Sequence, residues 1–356
     1  MQELQQIREH LRALGARAPH EDRVLRRWAQ VRPQQEGRRR PEHFMPAALV
    51  QALPEIEQRL AALASVQSEH PARDGSVRLL VGLQDGLSVE TVLLPRDGVC
   101  ISSQIGCAVG CRFCMTGQGG LLRQVGSAEM VAQVVLARQR RPVRKVVFMG
   151  MGEPAHNLDA VLDAIDLLGT VGNVAHKSLV LSTVGDPRVF ERLPGLRVKP
   201  ALALSLHSTR DDLRAQLLPR APRISPQDLV AAGQAYARQS GYPIQYQWTL
   251  IDGVNDSPEE LAGIVRLLKG QYAIMNMIPY NQVEGLPYRR PDPERAAEIA
   301  RWLHQQGVLT KLRQSAGQDV DAGCGQLRAR SAVVRVQRTR LENAPVSSDN
   351  RPLGGR

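Results

Sequence analysis

Between about residue 99 and residue 317 the chain alternates short apolar runs with longer stretches that carry helix-start signals. Val99–Gly106, Lys145–Met151, Ser178–Val184, Ala201–Leu206, Ile244–Ile251, Ala273–Pro279 and a shorter Leu309–Arg313 read as strands. Between them, Ser257-Pro258-Glu259-Glu260 sets a cap, a first-turn proline and a capping-box glutamate in order. Ser225-Pro226 and Asp292-Pro293-Glu294 repeat the cap-plus-proline logic. Such alternation argues for a parallel sheet wound by helices. The expected fold is α/β, an incomplete (β/α)6 TIM-like barrel. In barrels the chemistry gathers at the carboxyl ends of the strands. Polar residues interrupt the apolar runs there: Gly152-Glu153, Ser182, Ser205, His207 and Asn281.

The length, 356 residues, accommodates a barrel of ~250 residues and an accessory module. Residues 1–68 read as helical, with Leu4, Ile7, Leu11 and Leu14 at helix spacing, then Val24, Leu25 and Trp28, then Leu49, Leu53, Ile56, Leu60 and Leu63. The basic loop at 32–41 contains Arg38, Arg39 and Arg40, which either touch phosphates or form an ordinary solvated loop. Strand-like runs at 76–83 and 87–94 flank Asp85-Gly86 and predict a hairpin leading into Cys100. Glu90, in the second of these strands, is either a solvent-facing strand residue or a site carboxylate. The expected organisation is a helical RNA-binding module over 1–70, a barrel over 75–330 and a disordered basic tail over 335–356.

Three of the five cysteines fall in Cys107-Ala-Val-Gly-Cys111-Arg-Phe-Cys114. Soft thiolates suit iron–sulfur clusters, zinc or copper(I). A purely electron-carrying cubane takes four protein ligands; this run supplies three, which would leave one iron open. A zinc knuckle completed from elsewhere, or reduced thiols without metal, are the alternatives. The odd cysteine count argues against a secreted disulfide framework and for a reducing compartment. No apolar run approaches membrane-spanning length and the amino terminus lacks a signal-peptide core, so a cytoplasmic protein is expected. The formal charge of +11 points to a polyanionic partner, most plausibly nucleic acid.

Taken together, the ordered segments resemble the RlmN/Cfr family of radical S-adenosylmethionine (SAM) RNA adenosine methyltransferases. They are Val89-Glu90-Thr91-Val92, Cys100-Ile-Ser-Ser-Gln-Ile-Gly-Cys107, the cysteine loop, Phe148-Met-Gly-Met-Gly-Glu153-Pro154 and Leu181-Ser182-Thr183. Then come Leu204-Ser205-Leu206-His207-Ser208, Gly253-Val254-Asn255-Asp256, Ile278-Pro-Tyr-Asn281 and Asp319-Val-Asp-Ala-Gly-Cys324. The resemblance implies one 4Fe–4S cluster on Cys107, Cys111 and Cys114, and two SAM molecules per turnover. One SAM methylates Cys324. A second is cleaved to a 5′-deoxyadenosyl radical, which takes a hydrogen from the S-methyl group; the carbon radical then adds to the adenine ring. Cys100 releases the product and leaves a disulfide, with Glu90 or Cys100 itself as the base. Gly152, Glu153, Ser182, Ser205, Leu206, His207 and Asn281 would hold SAM. The implied product is an adenosine methylated on a ring carbon, C2 ahead of C8, in 23S rRNA with tRNA as a second candidate. An electron donor such as flavodoxin or ferredoxin and a monomeric state are implied as well.

The chain departs from the family at Gly119–Val125, at Leu217–Pro222 and at Gly323, where alanine is usual. Other classes stand beside this reading: a different radical SAM enzyme, for which no cysteines remain to ligate a second cluster, and a non-catalytic iron–sulfur or zinc RNA-binding protein.

Overall fold

The computed structural model describes residues 3–328, so the tail expected over 335–356 lies outside the described residues. Three helices come first: α1 (Glu3–Ala13), α2 (Ala18–Ala29) and α3 (Ala47–Ala62). Their apolar stripes close a small core of Leu11, Val24, Leu49, Leu53, Ile56 and Leu60. Glu21, buried against it, is paired by Arg8 at 3.2 Å and Arg12 at 2.7 Å. The other side of α1 and α2 faces the barrel. Leu4, Leu25 and Ala29 belong to the main core, and the Leu4 amide donates to Ser127 Oγ at 3.3 Å.

Helix does not continue to residue 68, as the sequence suggests. It stops at Ala62, and Ala64–Pro71 forms strand β1. Burial alternates along it, so Ser65-Val66-Gln67-Ser68-Glu69-His70 obeys a period of two, not 3.6. It pairs antiparallel with β2 (Val77–Leu83), which forms the expected hairpin with β3 (Ser88–Leu94). The Asp85 carboxylate accepts from the Leu87 amide at 3.1 Å and fixes the turn.

A second departure concerns Val99–Gly106. It is not one strand but two, β4 (Gly98–Cys100) and β5 (Gln104–Gly106). Side chains take over backbone bonding between them. The Ser102 amide donates to Gln133 Oε1 at 2.9 Å, and the Ser102 hydroxyl to the Glu90 carbonyl at 2.6 Å. Released from the main sheet, β5 pairs with β6 (Leu121–Gln124) as a separate ribbon.

Six further strands complete the sheet: β7 (Lys145–Phe148), β8 (Leu179–Thr183), β9 (Ala201–Ser205), β10 (Ile244–Leu250), β11 (Ala273–Pro279) and β12 (Thr310–Leu312). The order is β1-β2-β3-β4-β7-β8-β9-β10-β11-β12, parallel from β4 onward and open between β1 and β12. Intervening helices include α4 (Ser127–Arg138) and α5 (Leu158–Gly169), then α6 (Pro187–Arg192), α7 (Asp211–Leu217), α8 (Pro226–Ser240), α9 (Pro258–Leu268) and α10 (Pro293–Gln305). Ser225 and Ser257 cap α8 and α9 as expected, whereas Asp292 makes no side-chain cap bond to α10. None of the described helices is long and apolar enough to cross a membrane.

Strand alternation separates two packed layers. Leu179, Leu181, Leu202, Leu204, Tyr246 and Trp248 join the main core. Val147, Val180, Ala201 and Ala203 form another core with Ala322 and Leu327. The carboxyl-terminal segment thus fills the inside of the barrel. Gly317 N reaches the Asp74 carboxylate at 3.0 Å, and Arg78 Nε reaches the Val320 carbonyl at 2.7 Å. Beyond Cys324, the Met115 amide donates to the Gly325 carbonyl at 2.7 Å and the Thr116 hydroxyl to the Leu327 carbonyl at 2.6 Å.

Candidate active site

The strand ends converge on one cavity. Its wall carries Cys107, Cys111 and Cys114 from the loop after β5, Gly152 and Glu153 after β7, Ser182 of β8, Ser205 and His207, Thr249 of β10, and Cys324. The loop is held by its backbone: Cys107 N donates to Gly120 O at 2.9 Å and Cys114 N to Cys111 O at 3.1 Å. Gly106, with φ +77°, makes the closure possible, because a Cβ there would lie 1.9 Å from the Gly120 oxygen.

Burial pushes the Cys107 thiol up to about 12 and raises Cys111 and Cys114 as well, with the neighbouring thiols adding to the rise at Cys107 and Cys111. Such groups ionise only when a cation compensates them. Among the described residues no three His, Cys, Asp or Glu side chains converge as one mononuclear ion requires. Thiolates that each bind a different iron need not converge in that way. Three soft thiolates on one loop suit a cubane with one iron left open.

Glu153 stands across the same cavity. Its carboxylate accepts from Ala155 N and Val184 N, each at 3.1 Å, and its amide donates to Gln104 Oε1 at 2.7 Å. Burial nevertheless pushes its carboxyl up to about 7, against the pull of the Thr183 hydroxyl and those amides. A bound ammonium group would restore the charged form, which suits the amino group of SAM. Gly152, with φ +101°, leaves no room for a side chain, since a Cβ would meet Gln104 Cβ at 2.5 Å.

His207 sits at φ +59° and is buried. Its Nδ1 accepts from Thr249 N at 3.0 Å, which assigns the proton of the neutral ring to Nε2. Burial, and then the Arg214 charge, push its pKa down to about 3. The ring is therefore a neutral donor, packed edge-on to Phe113 at 4.9 Å. Behind it, Asn255 donates to His207 O at 2.7 Å and Thr249 O at 2.9 Å and accepts from Ile251 N at 2.9 Å. Asn255→Ala should destabilise the protein by about 2–4 kcal/mol, because buried backbone groups lose their partner. Urea unfolding checks this; a loss below about 1 kcal/mol, the size of one net hydrogen bond, would mean water replaces the amide.

Other candidates lie differently. Both backbone groups of Leu206 are engaged, with Gln247 O and Ser208 N, and its side chain is in the main core. Asn281 holds the Cys324 loop: its Nδ2 donates to Ser315 Oγ at 2.7 Å and Cys324 O at 2.9 Å. Gly323 fits against it; a Cβ there would lie 2.9 Å from Asn281 Nδ2 and 2.7 Å from Gln326 Oε1. Glu90 is buried, with one oxygen on the Arg78 guanidinium and the other accepting from Arg328 N at 2.8 Å.

Cys100 is buried with Ala322 and Leu327. Burial raises its thiol pKa, and the charge of Cys324 is the next cause. Cys324 keeps exposed surface as a residue. Packing around its sulfur raises the thiol, while the Ser315 hydroxyl and Arg313 charge pull the other way. Sequence reasoning assigned no role to Arg78, Asn255, Arg313 or Ser315. An arginine inside the apolar run Val77–Leu83 was the available signal for Arg78, and the Gly253–Asp256 segment for Asn255.

Residues 101–267 match the family model of the radical SAM superfamily. A protein of Leptothrix cholodnii named a probable RNA methyltransferase is 66% identical over 342 residues, covering 96% of this chain and 98% of that protein. One of the same description from Methylibium petroleiphilum is 69% identical over 328 residues, covering 92% and 93%. The crystal structure of a radical SAM methyltransferase from Sphaerobacter thermophilus superposes with a TM-score of 0.80 at 33% identity, covering 92% of this chain and 98% of that one.

Proposed function

Because the chain belongs to the family of radical SAM RNA methyltransferases, we propose that it methylates an adenosine ring carbon in RNA, C2 ahead of C8, in the manner of the RlmN/Cfr group. The observation that carries this reading is Cys324 on the wall of the three-cysteine cavity, with Cys100 buried among Ala322 and Leu327 of the same carboxyl-terminal segment. A ring carbon of adenine is too poor a nucleophile to take the methyl of SAM directly, so a radical route is physically reasonable, and the family resemblance supplies Cys324 as the sulfur carrier.

Cys107, Cys111 and Cys114 would hold a 4Fe–4S cluster, which with SAM supplies one-electron cleavage of the sulfonium bond. The chain's own groups do the rest. Glu153 and the side-chain-free backbone at Gly152 receive the amino acid end of SAM. Ser182, Ser205 and the Nε2–H of His207 offer polar contacts further along the wall. Asn281, Ser315 and Arg313 orient Cys324 and ease ionisation of its thiol, which accepts a methyl group. After that methyl carbon has bonded to adenine, the adduct would give up its ring proton and its unpaired electron, the electron returning to the oxidised cluster. The Cys100 thiolate then attacks Cys324 sulfur, and the carbon–sulfur bond breaks with its electron pair on carbon. That carbon takes a proton to become the product methyl, leaving a disulfide. Both oxygens of Glu90 are already engaged, which favours Cys100 as proton acceptor and gives Glu90 a part in anchoring the carboxyl-terminal segment. Two SAM molecules are consumed per product.

The RNA is 23S rRNA, with tRNA as the second candidate. Mass spectrometry of nucleosides from both RNAs of cells with and without the gene tests the assignment. One carbon-methylated adenosine should disappear; unchanged methyladenosine content would sink it. Arg38, Arg39 and Arg40 are exposed and available to phosphates. Replacing all three with Glu should weaken RNA binding and flatten its salt dependence by ~0.7–0.9 per lost contact. An unchanged slope would leave them an idle loop.

A further inference from the structure

We propose that Arg214 is the fixed counter-charge of the iron–sulfur centre and sets its reduction potential. The inference rests on reading the cavity as a cluster site. Arg214 belongs to α7, whose Leu213 and Leu217 pack with Cys107, Cys111, Phe113 and Val184. The backbone joins helix and loop directly, since Arg112 N donates to Leu217 O at 3.0 Å. Only 4% of Arg214 is exposed. Its Nη2 donates to Val184 O at 2.6 Å and Ser205 O at 3.2 Å, the carbonyls of two residues on the cavity wall, and its Nε has no hydrogen-bond partner.

A guanidinium stays charged when buried, and it is costly there without an anion. Arg78, the other arginine enclosed to this degree among the described residues, has its anion in Glu90. Arg214 forms no ion pair among the described residues; its polar partners are the two carbonyls. Burial lowers its pKa, and Cys111 is the first charge to oppose that, ahead of Asp211. Glu153, across the cavity, is held by the Ala155 and Val184 amides instead. The missing anion is therefore the centre on the cysteine loop. Three thiolates on an oxidised cubane leave one net negative charge, and reduction adds another. A one-electron donor places that electron on iron. The guanidinium is already in position to offset it, so no bond forms and no proton has to follow. At this depth no RNA phosphate reaches Arg214. A plain clamp on the strand ends would need the two carbonyl bonds but not the charge.

The test is a redox titration of the full, cluster-loaded chain with dithionite, without SAM or RNA, followed by the electron paramagnetic resonance of the reduced cluster. Arg214→Gln keeps an amide donor for the carbonyls but removes the charge. At a fixed potential it should hold roughly tenfold less reduced cluster, a shift of about 59 mV to more negative values. Arg214→Lys should recover most of that shift. Loss of iron from the oxidised protein to a chelator should be faster in Arg214→Gln and restored by Arg214→Lys, so a Gln variant that loads poorly still gives a reading. The cluster-free proteins should not rank this way, because there the charge has no anion to meet. In thermal unfolding, cluster-free Arg214→Gln should be at least as stable as Arg214→Lys. A wild-type potential and iron retention in Arg214→Gln would overturn the proposal. So would equal losses in the Gln and Lys variants, which would make the residue a clamp on the ends of β8 and β9. A wild-type chain that takes up no iron and sulfide would overturn the cluster reading beneath it.

Discussion

Cys100→Ala should react once and stall as a covalent protein–RNA complex, whereas Cys324→Ala should never become linked to RNA. The difference follows from the place of each sulfur. Cys324 lines the cavity wall and is the proposed carrier. Cys100 is buried among Ala322 and Leu327 of the same segment, and the charge of Cys324 reaches its thiol. Without the second sulfur the bond between carrier and adenine has no nucleophile to break it. Multiple turnover should fall to background in both variants. Denaturing gels and mass spectrometry of the purified proteins separate the outcomes: methyl-bearing and cross-linked for Cys100→Ala, unmodified for Cys324→Ala. Normal turnover by either variant would falsify the assignment, and a cross-link persisting in Cys324→Ala would move the carrier elsewhere.

Cys107→Ala should abolish cluster binding and all SAM cleavage while the barrel remains folded. Cys107 contributes one of the three thiols and its amide ties the loop to Gly120; the substitution keeps that amide. Anaerobically reconstituted wild-type protein should hold about four iron and four sulfide per chain. The variant should hold little of either, with an unchanged far-ultraviolet circular dichroism spectrum. Stoichiometric zinc without sulfide in the wild type would contradict the donor-set argument. Incorporation should release protons, since all three thiols are held protonated by burial in the absence of a cation.

The barrel strands were legible because they are apolar runs, and several of the helices between them carry explicit start signals. Ser225 and Ser257 mark their helices openly and cap them in the structure. β1 was illegible because Leu60 and Leu63 carry the helical period up to its edge, and one strand of mixed polarity does not announce itself against it. The break after Cys100 depends on Gln133, some thirty residues away, supplying bonds to Ser102 that no local pattern reveals. Among site residues, Cys107, Glu153, Ser182 and His207 meet on one wall as their positions at strand ends imply. Asn281 sits at a strand end too, yet serves the Cys324 loop, because a polar residue at a strand end can bond a passing segment as readily as a ligand. Glu90 shows the same limit: its position was readable, but its clasp on Arg78 and Arg328 N depends on tertiary packing.

The segment inside the barrel also dictates an order of assembly. Its anchors join residues 246, 243 and 238 apart in sequence, at Arg73–Asp319, Asp74–Gly317 and Glu90–Arg328. Contacts so distant form late, and these need nearly the whole chain to have left the ribosome. Every described strand and all three thiols of the cysteine loop precede Gly317 in synthesis. A nascent barrel therefore lacks its inner stopper until the segment that carries Ala322 and Leu327 arrives. The carrier sulfur arrives with the stopper. Pulsed hydrogen exchange during refolding should show β8 and β9 protected before the Gly323–Gln326 turn, and the reverse order would contradict this sequence of events.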